Sequence, residues 1–520
     1  YSTFLTRSGI LGNASVHSFT DLGLSGQLLL YLFFFMTGAV VLAVIRWKHL
    51  PSSSKELSVY NRDFWIFIGV SILALMAFQV LVPTSIPVFN AIITSLGGTS
   101  SVALPADQIS FYTRYQMWFA VLLAIAAGTA QIFWWRNVKK DNLGQQFGPA
   151  LLATLFISGL AIIIGKIHQL SYIILLIASV YSIAASTSIM YSLFKKKIDL
   201  SGGAVAHIGV ALILLGVLFS SGYSRIVSEN RSGIPIFKDS DENLDRENVV
   251  LWINEPKRMD KYEIVYKGPR VQPKGTNIYI DKNKVEIDEQ NHQAIVREDI
   301  SYNEEILFRK GDTLEVSPEN TYFEVAYKSA EGEDFMLFPR AQINPNMGLI
   351  ASPDIRKEPF RDLYTHVSAV VNPDNETKWR NENEYQVSPG KEFFINDFVA
   401  TFEDIRRVKE LDELQLKEGD VAIEAIVKIM DHGNIYQAKP VFIIKDRQVG
   451  YLPDVLEELG IKMTLTAIDP EANLFTFEVQ TGQKDYIVLK AIEKPMINLL
   501  WSGTVILLIG FVISLVRRFR

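Results

Sequence analysis

The chain contains no cysteine among its 520 residues. This absence excludes structural disulfides, cysteine-ligated zinc or iron–sulfur sites, and thiol nucleophiles within the chain. The sequence also lacks the GxSxG, phosphate-loop and HExxH motifs of serine hydrolases, nucleotide-binding proteins and zinc proteases. No internal repeat is visible.

Long apolar runs are present instead, in a chain that is 48% hydrophobic. A helix that crosses a membrane needs roughly 20 mostly apolar residues. Seven segments meet this length: 27–47, 64–82, 115–135, 147–166, 170–194, 204–222 and 497–516. The sequence predicts a polytopic α-helical membrane protein, in which residues 223–495 form a large β-rich extracytoplasmic domain inserted before the last helix.

Charge is divided along the same boundaries. Residues 223–495 carry 35 Lys and Arg against 51 Asp and Glu, a net charge of −16, whereas the rest carries 16 against 6, a net of +10. So acidic a domain argues against nucleic acid as a partner, because that affinity depends on neutralising phosphates.

The positive residues predict the topology. Lys and Arg in short loops favour the cytoplasmic side. The loops after the first, third and fifth predicted helices and the C-terminal tail together hold 13 of them, against 2 in the alternate loops. We therefore expect the N-terminal stretch and residues 223–495 to lie outside the cytoplasm.

The predicted exported domain shows short alternating runs such as "NIYIDKNKVEI", "VAIEAIVKIMD" and "LFTFEVQTG". Their β-branched and aromatic residues, broken by Gly, Asn and Asp, are typical of antiparallel sheet. "PDVLEELG" predicts one helix, with Asp454 as its cap and Gly460 as its end. Without a catalytic motif, the domain is expected to be a platform for binding or docking.

His207 is the most suggestive single residue. It follows Lys197 by ten positions, about 15 Å of helix, which places it inside the membrane near the cytoplasmic face. An ionisable side chain there indicates a function by default, and imidazole is a good axial ligand for haem iron. Gly209 and Gly216 share one helix face, against which a flat macrocycle could lie. Close packing between helices, with His207 hydrogen-bonded across the bundle, is the alternative.

His17 precedes the first predicted helix in "RSGILGNASVHSF", on the outer side. It is either a haem ligand or a solvated polar residue of an interfacial loop. Arg7 could meet an anionic group such as a haem propionate, or anchor the chain at the interface. Because His17 and His207 lie towards opposite faces of a layer about 30 Å thick, ligand roles for both would require two haem sites. The remaining histidines are predicted to be interfacial, turn or surface residues: His49, His168, His292, His366 and His432.

Several stretches resemble one known family. They are "TFLTRSGILGNASVHSF", "FYTRYQMWFAVLLAI", "GGAVAHIGVALILLGV", "PDIRKEPFRDLYTHVSA" and "KPMINLLWSGTVILLIG". The chain resembles the CcmF family, the large haem lyase subunit of system I cytochrome c maturation, from its first residues to its last. The chain starts at Tyr1, without Met, and the family's tryptophan-rich WWD region is not found in it. We therefore expect a C-terminal portion of such a protein, inactive by itself.

The resemblance implies a function at two haem sites. In the family, haem delivered by the haem chaperone CcmE is held at the outer face and joined to the CxxCH thiols of an apocytochrome c, with other lyase subunits of the CcmH and CcmI type. His17 matches a ligand of this substrate haem. His207 matches an axial ligand of a permanent haem b in the membrane, thought to reduce the incoming haem with quinol as electron source. The implied location is the bacterial inner membrane, with the large domain in the periplasm.

Two other functions remain open on the residues alone. A transporter of haem or another small molecule would use His207 in its pathway. Internal repeats are common in transporters, and none is visible in this chain. A b-type membrane cytochrome would only pass electrons, and the large acidic domain counts mildly against it.

Overall fold

The computed structural model describes most of the chain. The residues described are 1–7, 25–49, 59–60, 62–105, 107–135, 143–194, 200–230, 236, 245–302, 305–344, 348–370, 379–408, 420–445, 448–482 and 484–519. By their internal contacts the residues divide into a helical unit, formed by residues 1–224, 359–361 and 494–520, and a β unit, formed by residues 225–358 and 362–493.

The helical unit contains nine α-helices within the described residues. They are α1 (Ser2–Arg7), α2 (Ser25–Arg46), α3 (Arg62–Thr84), α4 (Ile86–Ser95), α5 (Gln108–Trp135), α6 (Leu143–Gly165), α7 (Leu170–Phe194), α8 (Gly202–Gly222) and α9 (Ile497–Phe519). Seven of them, all except α1 and α4, are long and apolar enough to cross a membrane. The seven predicted segments correspond to these helices, although α5 begins at Gln108 rather than at residue 115.

The core of the helical unit lies where α5, α7 and α8 meet. Its buried side chains are small or aliphatic: Ala120, Val121, Ala124, Ile167, Leu175, Leu176, Ala178, Val180, Leu215 and Leu218. Alanines at 120 and 124 are one turn apart on α5, so they let the neighbouring helices approach closely. This packing positions the face of α8 that carries His207.

The β unit contains 27 strands within the described residues. They are β1 (Arg225–Ile226), β2 (Val249–Trp252), β3 (Lys257–Met259), β4 (Tyr262–Val271), β5 (Ile280–Asp281), β6 (Val285–Asp288), β7 (Gln293–Val296), β8 (Ile300–Tyr302), β9 (Glu305–Phe308), β10 (Thr313–Glu315), β11 (Thr321–Ser329), β12 (Asp334–Leu337), β13 (Arg340–Asn344), β14 (Gly348–Ser352), β15 (Asp354–Lys357), β16 (Arg361–Val370), β17 (Arg380–Val387), β18 (Lys391–Ile395), β19 (Phe398–Val408), β20 (Val421–Asp431), β21 (Asn434–Ala438), β22 (Val441–Lys445), β23 (Gln448–Leu452), β24 (Asp454–Leu456), β25 (Ile461–Asp469), β26 (Leu474–Thr481) and β27 (Tyr486–Pro495).

Two main cores hold the β unit together. The first lies between a five-stranded sheet, of order β1-β27-β16-β15 with β2 beside β27, and a seven-stranded sheet that contains β4 and β11. The second lies between a four-stranded sheet, of order β17-β26-β25-β24, and a six-stranded sheet built around β19 and β20. The pairs β4–β11, β17–β26, β19–β20 and β25–β26 are antiparallel. Alternate residues of β26 are buried, as expected for strands with one face towards a core.

Together, seven spanning helices and a large β-rich region before the last of them confirm the predicted fold class. The predicted helix at "PDVLEELG" is wrong. Asp454–Leu456 forms strand β24, which pairs with β25 in the register Asp454 to Met463 and Leu456 to Ile461. Gly460 adopts a positive φ of 61°, so it ends a turn between two strands and not a helix.

Candidate functional site

His207 lies in the second turn of α8, which begins at Gly202. Helical periodicity of 3.6 residues per turn gives α8 three faces with different surroundings. The glycine stripe, defined as Gly202, Gly209 and Gly216, forms the first face. The second carries Ala204, Ala211, Leu215 and Leu218. The third carries Gly203, His207, Val210 and Leu214.

The glycine stripe packs against α9. A Cβ added to Gly209 would lie 2.5 Å from the backbone nitrogen of Leu507 and 2.7 Å from the carbonyl oxygen of Gly503. The contact is reciprocal, because a Cβ on Gly503 would lie 2.7 Å from the carbonyl oxygen of Gly209. Gly216 meets the backbone of Leu500 in the same way. The helix face predicted to contact a flat macrocycle is therefore covered by α9. In the structure, Gly209 and Gly216 pack against this helix, where the sequence predicted contacts with a cofactor.

The second face of α8 is buried with the core shared by α5 and α7. Ala204 and Ala211 are fully buried, and Leu215 and Leu218 belong to that core. Near the other end of α8, Gly222 lies against the ring of Tyr172 on α7. Both faces are thus filled by protein, which leaves the third.

The third face of α8 is only partly covered. His207, Val210 and Leu214 are partly buried, and Gly203 is exposed. Among the described residues, none forms a hydrogen bond or ion pair with the His207 imidazole. The cross-bundle hydrogen bond of the packing alternative is therefore absent from the described part of the chain. An imidazole with free nitrogens on an open apolar face fits the donor that a haem iron requires.

One buried amide faces the same region. Gln131 on α5 is only 6% exposed, and its Oε1 atom has no hydrogen-bond partner within the described residues. Its Nε2 atom lies 3.7 Å from the position that a Cβ would take on Gly203. Sequence reasoning missed Gln131, although a glutamine inside an apolar spanning segment is itself a signal.

His17 and Arg7 are the candidate residues of the outer face. His17 lies outside the described residues. Arg7 is the last residue of α1, and its side chain also lies outside the described part of the structure. Their predicted roles therefore stay predictions.

The other histidines occupy ordinary positions. His49 ends a short 3₁₀ helix, and His292 and His432 adopt positive φ in turns. His366 lies on β16, where burial, followed by the charge of Lys490, lowers the pKa of its imidazole. Across the described ranges there is no cluster of three or more His, Asp or Glu side chains suited to a metal ion.

The β unit holds a second group of buried polar residues that sequence reasoning missed. The Tyr266 hydroxyl donates to Oδ2 of Asp485 at 2.8 Å, and burial raises the pKa of that carboxyl to about 6. Burial, followed by the charge of Asp281, raises the pKa of Glu458 to about 7. Because these residues come from distant parts of the chain, no local pattern in the sequence announces their proximity.

Comparison with known proteins identifies a relative. No protein-family model matches the chain. The chain is 25% identical over 228 residues to the cytochrome c-type biogenesis protein CcmF of Escherichia coli (strain K12), across 43% of this chain and 34% of that protein. Among solved structures, a cytochrome c haem lyase CcmF matches 97% of this chain with a TM-score of 0.46 and 12% identity, and 52% of that structure is covered. The chain thus spans about a third of its curated relative. The curated match confirms the resemblance to the CcmF family.

Proposed function

Because the chain is a relative of CcmF, we propose that it serves cytochrome c biogenesis as part of a haem lyase. The reaction joins haem to the thiols of an apocytochrome c, so the protein's task is to orient the two reactants and control the redox state of iron. A chain without cysteine suits this task, since it offers haem no competing thiol.

The His207 imidazole carries the proposal for a resident haem b. It lies inside a spanning helix, on a partly open face, and none of the described residues engages its nitrogens. An ionisable side chain inside a spanning helix is costly, so a ligand that uses it explains why it is retained. A haem b held there would supply one-electron chemistry. His207 would hold its iron, and Val210 and Leu214 would provide apolar contact on the same face.

His17 is the proposed ligand of the substrate haem at the outer face, with Arg7 as a candidate partner for a propionate. This assignment rests on the family resemblance of "RSGILGNASVHSF". The distribution of positive charge supports an orientation with residues 223–495 on the non-cytoplasmic side, and the resemblance supports the bacterial inner membrane as the location. The haem chaperone CcmE, the apocytochrome and lyase subunits of the CcmH and CcmI type are the proposed partners, and quinol is the proposed reductant.

The experiment that tests this function compares three histidine variants in the protein isolated from membranes of its host. We expect His207→Ala to abolish the reduced-minus-oxidised spectrum of haem b. We expect His17→Ala to keep that spectrum and to stop cytochrome c production. His168→Ala is the matched control, because His168 lies in the turn before α7, and it should change neither measurement.

The outcomes separate the competing functions. A haem b spectrum that survives His207→Ala would refute the ligand assignment. If His17→Ala and His207→Ala both matured cytochrome c normally, the lyase function would be wrong. If only electron transfer failed in His207→Ala while cytochrome c matured, a b-type cytochrome would be the better description.

A further inference from the structure

Gln131 combines deep burial with an unsatisfied hydrogen-bond acceptor. Its side chain is 94% buried, yet Oε1 has no partner among the described residues. A buried carbonyl oxygen without a donor costs on the order of 1–3 kcal/mol. The Thr129 hydroxyl, two residues away on α5, does not supply the missing donor. It forms a hydrogen bond of 3.1 Å with the hydroxyl of Tyr181 on α7.

The position of Gln131 relates it to His207 through Gly203. The Gln131 amide lies beside Gly203, which has no side chain to separate it from the rest of this face of α8. His207 is four residues further on, so it lies on the same face about 6 Å along the helix. Side chains of an α-helix point back towards its N-terminus and cover the preceding turn. The His207 side chain and the Gln131 amide therefore share the side of α8 on which Gly203 leaves space.

The chemistry of the two groups is complementary. A neutral imidazole that gives one nitrogen to a metal has an N–H on the other nitrogen. Histidine ligands almost always donate this N–H to an acceptor, which fixes the ring and raises its basicity. Among the described residues, the Gln131 Oε1 atom is an acceptor that lacks a donor. We propose that Gln131 is the positioning residue of His207, accepting the imidazole N–H that remains when the ring binds haem iron.

This inference rests on the proposed function, and its test has a readout other than lyase activity. The variants are Gln131→Leu, which removes the acceptor, and Gln131→Glu, which keeps the length of the side chain and strengthens the acceptor. Gln116→Leu is the matched control on the same helix. The Gln116 amide already donates to the carbonyl of Met76 and to Oε1 of Gln79, and it lies about 22 Å from Gln131 along α5.

Haem content and midpoint potential are measured on the protein isolated from its membranes. We expect Gln131→Leu to weaken haem b retention roughly 10- to 100-fold and to raise the potential, because a less basic imidazole stabilises ferric iron less well. We expect Gln131→Glu to retain haem and to lower the potential below the wild-type value. Gln116→Leu should reproduce the wild type in both measurements.

The results also separate this inference from the function on which it rests. If His207→Ala loses haem b but Gln131→Leu and Gln131→Glu both show the wild-type potential and retention, only the role of Gln131 is refuted. If His207→Ala retains haem b, both fail. Should Gln131→Leu not accumulate in membranes, the direction of the potential shift in Gln131→Glu decides the question.

Discussion

The helical unit and the β unit bury different kinds of side chain where their elements meet. The contact between α8 and α9 is made by Gly202, Gly209 and Gly216 on one helix and by Gly503 and Gly510 on the other. The largest fully buried side chains of the β unit are aromatic and include Tyr266, Tyr327, Phe402 and Phe477. Spanning helices gain little from moving apolar groups out of lipid, so they associate through close backbone contact. Strands in water gain from every apolar area they bury.

This difference predicts opposite sensitivities. A single added methyl group should damage the helical unit at the glycine stripe, where the atoms in the way belong to backbone. The β unit should instead be sensitive to the loss of a buried partner, because its cores enclose charged groups as well as aromatic ones.

The largest effect is expected from Gly209→Ala. The new Cβ would lie 2.5 Å from the Leu507 nitrogen, so α8 and α9 must separate along the stripe. Overpacking in a core costs typically about 1–3 kcal/mol, and a contact with backbone should exceed this range. We expect a marked fall in the melting temperature of the detergent-solubilised protein. We also expect faster proteolysis of the segments that connect the spanning helices.

Gly159→Ala is the control for this substitution. Gly159 lies on α6, and a Cβ there has no heavy atom of the described residues within 4 Å. The same chemical change should therefore leave the melting temperature unaltered. Equal melting temperatures for the two variants would show that close packing of α8 on α9 contributes nothing to stability.

The same contrast explains which features of the helical unit could be predicted from the sequence. The spanning helices were predictable because each is an apolar run that stands out locally. The role of Gly209 was not, because its partner Gly503 lies 294 positions later and nothing in "GGAVAHIGVALILLGV" specifies which helix covers that face. Gln131 and Gly203 are likewise brought together only by tertiary packing.

The error at Asp454–Leu456 has a similar cause. The leucines of "PDVLEELG" have the spacing of a short helix, and Asp454 is a good cap residue. Instead, a neighbouring strand offers a ladder of hydrogen bonds from Ile461 onwards. Tertiary pairing outweighs local propensity over so few residues.

A smaller effect is expected from Lys484→Met in the β unit. The Lys484 ammonium lies 2.9 Å from Oδ2 of Asp431 and 3.1 Å from Oε1 of Glu255, and the Asp431 side chain is only 4% exposed. Removing the lysine leaves a buried carboxylate that keeps, among the described residues, a contact with His432 at 2.8 Å. Because Lys484 is itself mostly buried, we expect the free energy of unfolding to fall by about 3 kcal/mol.

Hydrogen exchange of the amides in β20, which ends at Asp431, measures this change. Lys428→Met is the matched control, since Lys428 pairs with Glu403 at 2.5 Å while both side chains remain substantially exposed. Its effect should be less than about 1 kcal/mol. Equal losses in the two variants would mean that burial of the Lys484 pair adds nothing.

The smallest effect concerns pH. The pKa of Asp485 is raised from 3.8 to about 6, and that of Glu458 from 4.5 to about 7, chiefly because both carboxyls are buried. Each group therefore binds its proton more tightly in the folded than in the unfolded chain. The contribution of this pair to stability is present at low pH and is lost as the pH rises from about 4 to about 7.

Asp485→Asn tests this dependence, because the amide can still accept from the Tyr266 hydroxyl but no longer titrates. Between about pH 4 and about pH 7, the free energy of unfolding should fall by about 2 kcal/mol less in the variant than in the wild type. Hydrogen exchange in β27 measures this difference. Glu471→Gln, at an exposed turn position, should leave the profile unchanged. A wild-type profile in Asp485→Asn would place the pH sensitivity elsewhere. A profile that is flattened only when Glu458→Gln is added would show that the two carboxyls titrate as a coupled pair, through the electrostatic network of Asp281 and Arg270 around them.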